Sequence, residues 1–190
     1  MKYIRLFMVS FVLLCFLSIS AMASEREAGA EEISRVKNGQ AVAYNWENTD
    51  GHWKLLYLDA KGKMWRYAKN RWVQIGSRFY YFLSNGNAAE GWFQLDGKWY
   101  FAEYDNKKGN KEDASVVLMG WASIPDQKGK YHSFYFMKDQ NGRPGGMVQS
   151  SGSSFEPFSV EGQEVYFDNL GYADMRTVKT NVQKISGKRE

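Results

Sequence analysis

The sequence predicts an all-β fold: a solenoid of stacked β-hairpin repeats, irregularly spaced and without disulfides. Three observations carry this. Aromatic residues make up 16% of the 190 residues, beside 18 Gly and only three Pro, a composition of short strands and tight turns. One stretch repeats another: WVQIGSRFYYF, from Trp72, lies over WFQLDGKWYFA, from Trp92, at an offset of 20 residues. The same pattern, an apolar pair seven residues apart around a turn, recurs at Trp46/Trp53 and Phe158/Val165. Self-similarity of this kind marks a stacked repeat protein.

Residues 1–23 read as a signal peptide. Lys2 and Arg5 give a positive start, an apolar run spans Leu6 to Ile19, and Ala21-Met22-Ala23 supplies a small-residue cleavage site. The only Cys, Cys15, lies in that run, so the mature chain is expected to have neither a disulfide nor thiol chemistry. Export near Ala23 implies a secreted or cell-surface protein. Without Lys2 and Arg5, the Lys plus Arg count falls from 25 to 23, against 21 Asp and Glu. That balance gives no reason to expect a nucleic-acid partner, and no second apolar run predicts a membrane span.

Residues 24–43 form a polar leader, expected to be flexible apart from a helical turn. The repeat domain is expected over 44–175, and 176–190 reads as a polar, mildly basic tail. In the best unit, Asp96-Gly97 is the strongest short signal for a type I′ hairpin. A two-residue loop there pairs Leu95 with Lys98, Gln94 with Trp99, Phe93 with Tyr100 and Trp92 with Phe101. Side chains alternate along strands, so Trp92, Gln94, Trp99 and Phe101 share one face and Phe93, Leu95 and Tyr100 the other. In the twin unit Gly76-Ser77 suits a type II′ turn and puts Trp72, Gln74, Phe79 and Tyr81 on the matching face. The first unit turns at Asp50-Gly51, the last around Gly162-Gln163. A further unit starts at Trp121 and resumes at Phe134, its turn lengthened by the insert PDQKGKYHS. The stretch WRYAKNRW allows a competing register, with Trp65 opposite Trp72, and leaves that boundary open. GGMVQSSGSSFEP, from Gly145, reads as a long loop. An isolated hairpin is marginal in water and must bury one face against a neighbour; aromatic rings, at about 150–250 Å² each, suit that task.

These residues resemble the choline-binding and glucan-binding repeat family, the cell-wall-binding repeats of Gram-positive bacteria. Gly91-Trp92 followed by Gly97-x-Trp99-Tyr100-Phe101 is similar to the family's G-W-x(4)-G-x-W-Y-Y/F core. GNAAEGW, from Gly86, resembles its linker G-x-M-x-T-G-W, with Ala88 for Met and Glu90 for Thr. GKM at Gly62 and GYADM at Gly171 echo that linker, and RFYYFLSNG resembles short repeats of clostridial toxins. The likeness spans roughly Trp46 to Met175 and is strongest from Trp72 to Phe101. It implies a hairpin solenoid with aromatic pockets between consecutive hairpins, which hold a trimethylammonium group or a sugar ring. A quaternary ammonium is attracted to aromatic faces.

Carried over by position, the candidate ligand contacts are Trp72, Phe79, Tyr81, Trp92, Trp99 and Phe101, around a cavity between the second and third units. Trp46 and Trp53 would serve an earlier site and Trp121 a later one. Phe79 replaces a family Trp and the units are unevenly spaced, so choline and a glycan both stand as ligands. The expected partner is a cell-wall polymer, either choline-bearing teichoic acid or a glycan.

No catalytic, metal or cofactor site is expected. His52 and His132 lack partners at metal-ligand spacing, and neither H-E-x-x-H nor G-x-S-x-G occurs. Carboxylates abound, but nothing in the sequence selects a glycosidase pair. The chain therefore reads as a non-catalytic binding module. The alternative is a structural or protein-interaction β-solenoid whose aromatic residues are all core.

Overall fold

A computed structural model of the chain describes residues 25–39, 42–59, 61, 63–104 and 114–185. The expected signal peptide with Cys15, and the Gly62 of GKM, lie outside the described residues. The rest is mostly β, arranged as small sheets with one short helix. No helix among the described residues is long and apolar enough to cross a membrane.

Five β units follow one another in chain order. The first is a four-stranded sheet built from β1 (Arg26–Glu27), β2 (Tyr44–Thr49), β3 (His52–Asp59) and β4 (Met64–Tyr67), in the order β1-β4-β3-β2. Two hairpins come next, β5 (Arg71–Ile75) with β6 (Arg78–Phe82) and β7 (Gly91–Leu95) with β8 (Lys98–Ala102). A three-stranded sheet joins β9 (Gly120–Pro125), β10 (Tyr131–Lys138) and β11 (Pro144–Met147), and a last hairpin pairs β12 (Glu156–Val160) with β13 (Gln163–Phe167).

The registers of the twin hairpins are those the turns predict. Trp92 opposes Phe101 and Gln94 opposes Trp99; Trp72 opposes Tyr81 and Gln74 opposes Phe79. Asp96 and Gly97 both have positive φ (50° and 74°), as a type I′ turn requires, whereas at Gly76-Ser77 only Gly76 does (60°), as in type II′. The competing register is not used, because β4 pairs with β3 and not with β5.

Three expectations are corrected. The last hairpin turns at Glu161-Gly162, one residue earlier than expected, since Val160 pairs with Gln163 and both turn residues take positive φ. Part of the Gly-rich stretch from Gly145 lies in β11, on the edge of β10. The polar flanks also contribute structure. The leader carries β1 and helix α1 (Ala30–Lys37), whose Gly29 N–H is accepted by Glu32 at 2.9 Å. Arg26 grips the same carboxylate and, with the Gly29 amide, holds it near pKa 2. At the other end Ile185 is buried, and its N–H donates to Ser123 O at 2.8 Å. Charge pairs and edge hydrogen bonds hold the leader, and at the tail Ile185 adds a buried side chain to the cluster of Phe101, Ile124 and Phe134.

Aromatic rings join each unit to the next. Trp46 packs on Tyr80 and Phe82 across the first interface. Phe93 stacks on Tyr81 (5.7 Å, 12°) across the second. Trp92 meets Phe134 and Phe136 across the third, and Trp121 stacks on Phe167 (5.9 Å, 19°) across the fourth. The linkers add backbone bonds that span two units at a time. Ala88 and Ala89 donate to Trp53 O and Tyr81 O, Val117 and Leu118 to Phe79 O and Phe101 O, and Ala173 and Asp174 to Ser133 O and Tyr166 O. A hairpin alone would leave those edge carbonyls unpaired.

Candidate functional site

Alternation within β7–β8 sends its two aromatic sets in opposite directions. Phe93 and Tyr100 turn back to the preceding hairpin, where Trp72, Tyr81, Phe93 and Tyr100 fill the interface with ring contacts of 5.2–6.4 Å. Trp92 and Phe101 turn forward to the β9–β11 sheet. The six central candidates therefore do not enclose one cavity between the second and third units. That space is occupied by Trp72 and Tyr81 together with Phe93 and Tyr100.

The structure instead brings Trp92 and Trp99 to a cavity of about 310 Å³ between β7–β8 and the β9–β11 sheet. The two indoles stand edge to face, 6.5 Å apart at 82°. They are 37% and 38% exposed, unlike most rings of the chain. Ile124, Phe134 and Met147, all buried, make the floor, and Leu170 and Tyr172 come from the loop after β13. Phe101 is 1% exposed and sits beneath Trp92 (5.2 Å, 76°), so it supports the pocket from the core.

Four polar residues join this apolar lining: Asp126, His132, Gln149 and Asn169. His132 Nε2 lies 3.2 Å from Asp126 Oδ2, and its ring stacks on Tyr172 at 3.9 Å and 13°. The Asp126 pKa is lowered from the ordinary carboxylate value, because the Lys130 amide, His132 and the Lys128 amide bind it against the cost of burial. Tyr172 is pushed up by burial and by the nearby Asp126 and Asp168 carboxylates, so it remains a neutral phenol. The wall is thus four aromatic rings with one fixed negative charge at the rim.

The remaining candidates fall elsewhere. Trp72 and Phe79 line a second cavity of about 320 Å³ together with Gln74, Asp139, Arg143 and Pro144. Tyr81 is stacked on Phe93. Trp46 and Trp53 pack against each other and against the first core cluster, and Trp121 packs between Tyr135 and Phe167. None of these last four lines either of these two cavities. Among the described residues no group of three or more His, Cys, Asp or Glu is placed to hold a metal.

The sequence reading missed Asp126, His132 and Tyr172. A signal for them exists. Besides DAKGK from Asp59, whose Gly62 lies outside the described residues, DQKGK from Asp126, DQNGR from Asp139 and DNLGY from Asp168 are three copies of D-x-x-G-x. In each, Asp Oδ1 accepts the amides two and four residues on, at 2.8–2.9 Å, and the Gly N–H returns to the Asp carbonyl at 2.9–3.0 Å. Such Asx-type turns fix the backbone of their last residue. Two of those last residues, Arg143 and Tyr172, line the two cavities.

No protein-family model matches the chain, and no curated protein sequence matches it. Solved structures similar to it include the modular Cpl-1 endolysin complexed with a peptidoglycan analogue, at 21% identity over 79% of this chain and 37% of that one, TM-score 0.39. Choline binding protein F from Streptococcus pneumoniae, in the presence of a peptidoglycan analogue, is 27% identical over 75% of this chain and 44% of that one, TM-score 0.30. A truncated alternansucrase from Leuconostoc mesenteroides is 17% identical over 65% of this chain and 9% of that one, TM-score 0.35. The second carries a name from the choline-binding family that the repeats resemble. The chain spans less than half the length of each of these proteins.

Proposed function

We propose that the chain is an exported, non-catalytic binding module that docks on a cell-wall polymer, with the Trp92–Trp99 pocket as a cage for a quaternary ammonium. The observation that carries this is the pocket itself. Two half-exposed indoles stand at right angles over an apolar floor, and Tyr172 and an ionised Asp126 complete the wall. Aromatic faces attract an ammonium, and the effect grows as the cation loses water. A carboxylate at the rim adds attraction for the same charge. At about 310 Å³ the cavity is at the small end of ligand sites, which suits a headgroup better than a sugar chain.

The packing of five units in chain order supports an open hairpin solenoid, in which each unit touches mainly its neighbours. The alternative, in which every aromatic ring is core, leaves the exposure of Trp92 and Trp99 without a reason. Lys2, Arg5, the apolar run and Ala21-Met22-Ala23 support export to the cell surface.

Titration of the full chain with choline, followed by Trp fluorescence, tests the cage. Trp99→Ala is expected to keep the near-UV spectrum of a folded chain and to weaken choline binding roughly tenfold. 3,3-Dimethylbutan-1-ol, the uncharged isostere, is expected to bind more weakly than choline. An unchanged wild-type signal up to high millimolar choline would sink the proposal.

A further inference from the structure

The second cavity has a chemistry of its own. It lies at the turn end of β5–β6, where Trp72, Gln74 and Phe79 occupy the places that Trp92, Gln94 and Trp99 hold in the twin hairpin. Its size matches the first, about 320 Å³. The closing element differs. Here it is the Asp139–Arg143 turn with Pro144.

That turn is held rigidly. Asp139 Oδ1 accepts the amides of Asn141 and Arg143, both at 2.8 Å, and the Asp139 N–H donates to Arg143 O at 2.8 Å. The Asp139 carboxylate is thereby held in its own loop and stands in the lining as a negative group beside Arg143. The Arg143 guanidinium, in contrast, has no hydrogen-bond or ion-pair partner among the described residues, although its backbone is fixed at both N–H and C=O. An exposed guanidinium without a partner among the described residues, on a fixed backbone beside an aromatic wall, is a binding group for an oxyanion, which its planar fork matches with two hydrogen bonds.

The other lining groups add a second requirement. Trp72 is half-buried, held edge-on by Tyr81 (5.2 Å) and Tyr100 (5.3 Å). Gln74 spends its amide N–H on Gly76 O at 3.0 Å, which leaves its oxygen as an acceptor for a hydroxyl. Phe79 closes the floor at 6% exposure. A ring carrying hydroxyls and one negative group satisfies all of these at once. A quaternary ammonium would meet the Arg143 charge instead.

We propose that this cavity is a second ligand site that takes an acidic sugar, with the ring against Trp72, a hydroxyl on Gln74 and the oxyanion on Arg143. The oxyanion is a carboxylate or a phosphate, and matched probes separate the two. The test is ¹H–¹⁵N NMR titration of the full chain at low salt with glucuronate, glucose 6-phosphate and glucose. Glucuronate or glucose 6-phosphate should shift the Trp72 indole and Arg143 Nε signals, and whichever binds tighter names the oxyanion. Glucose should bind about tenfold more weakly or not at all. Arg143→Gln is expected to cut acidic-sugar affinity about tenfold, and Arg143→Lys, which keeps charge but not the fork, to fall between. Choline binding at the Trp92 pocket should be unchanged in both variants, so failure here is separable from failure of the ammonium cage. The proposal is overturned if neither acidic sugar shifts these signals, if glucose binds as well as they do, or if both Arg143 variants bind like the wild type.

Discussion

The twin hairpins β5–β6 and β7–β8 have the same register and nearly the same outward side chains, yet they build different sites. In β7–β8 the forward face meets the β9–β11 sheet and the Asp168–Tyr172 turn, and the result is an aromatic cage with a carboxylate at its rim. In β5–β6 the corresponding face is closed by the Asp139–Arg143 turn, and the result is a polar cleft whose guanidinium has no partner among the described residues. The hairpin supplies an aromatic wall. The D-x-x-G-x turns laid against it, Asp126–Lys130 at the cage and Asp139–Arg143 at the cleft, set the charge. A repeat scaffold can thus change ligand class at one position without disturbing the stacking that holds it together.

The strongest way to break this comparison is through the rings that are not ligand contacts. Phe101 is 1% exposed, beneath Trp92, while its twin Tyr81 is only partly buried. Phe101→Ala is expected to cost about 3–5 kcal/mol, in the range for a large aromatic core truncation. Tyr81→Ala should cost clearly less, because its ring already meets solvent on one side. Urea midpoints of the two variants check this. Equal losses would mean that the two forward faces are buried alike and that the contrast in exposure is not real in solution.

The hairpin level of this structure was legible in the sequence for a simple reason. Asp96-Gly97 and Gly76-Ser77 each fix a turn, a turn fixes a register, and a register fixes which side chains share a face. The 20-residue offset then says that the two faces match. The pockets were not legible in the same way. Their far walls come from residues such as Arg143 and Tyr172, 71 and 80 residues downstream of Trp72 and Trp92, and no local rule relates those turns to the two indoles. The direction of each face was also hidden: alternation separates Phe93 from Trp92, but only the packing order says which of them meets the next unit. The flanks were misjudged because Arg26, Glu32 and the edge amides near Gln183 hold them by polar contacts that composition reads as solvation.

The same position of the two turns offers a finer contrast. Gly171 (φ +81°) and Gly142 (φ +74°) are the fourth residues of their D-x-x-G-x loops. A Cβ on Gly171 would fall 2.5 Å from Met147 Cε and 3.1 Å from the Val148 carbonyl oxygen, whereas one on Gly142 would meet nothing within 4 Å. Gly142→Ala should therefore cost only the left-handed backbone penalty, about 1–2 kcal/mol. Gly171→Ala should cost more and should also weaken choline binding, because Met147 is part of the cage floor. Thermal denaturation with and without choline reads both effects. A Gly171→Ala chain as stable as Gly142→Ala would show that the turn over the cage is looser than its geometry indicates.

The smallest expected effect concerns the carboxylate that distinguishes the cage. The Asp126 pKa is lowered in the folded chain, chiefly by the Lys130 amide, from the unfolded value of 3.8. A depressed carboxylate contributes to stability above the unfolded value and loses that contribution as pH falls through the folded one. Its charge therefore persists to lower pH than that of a free Asp. Choline affinity at the Trp92 pocket should fall by about two- to fivefold, the scale of a single solvent-exposed charge pair, only at a pH more acid than the one at which a free Asp titrates. Asp126→Asn keeps an acceptor for the turn amides and removes the charge. It should remove that acid limb while leaving the near-UV spectrum intact. An acid limb of undiminished size in Asp126→Asn would transfer the effect to another group and leave the cage attractive through its rings alone.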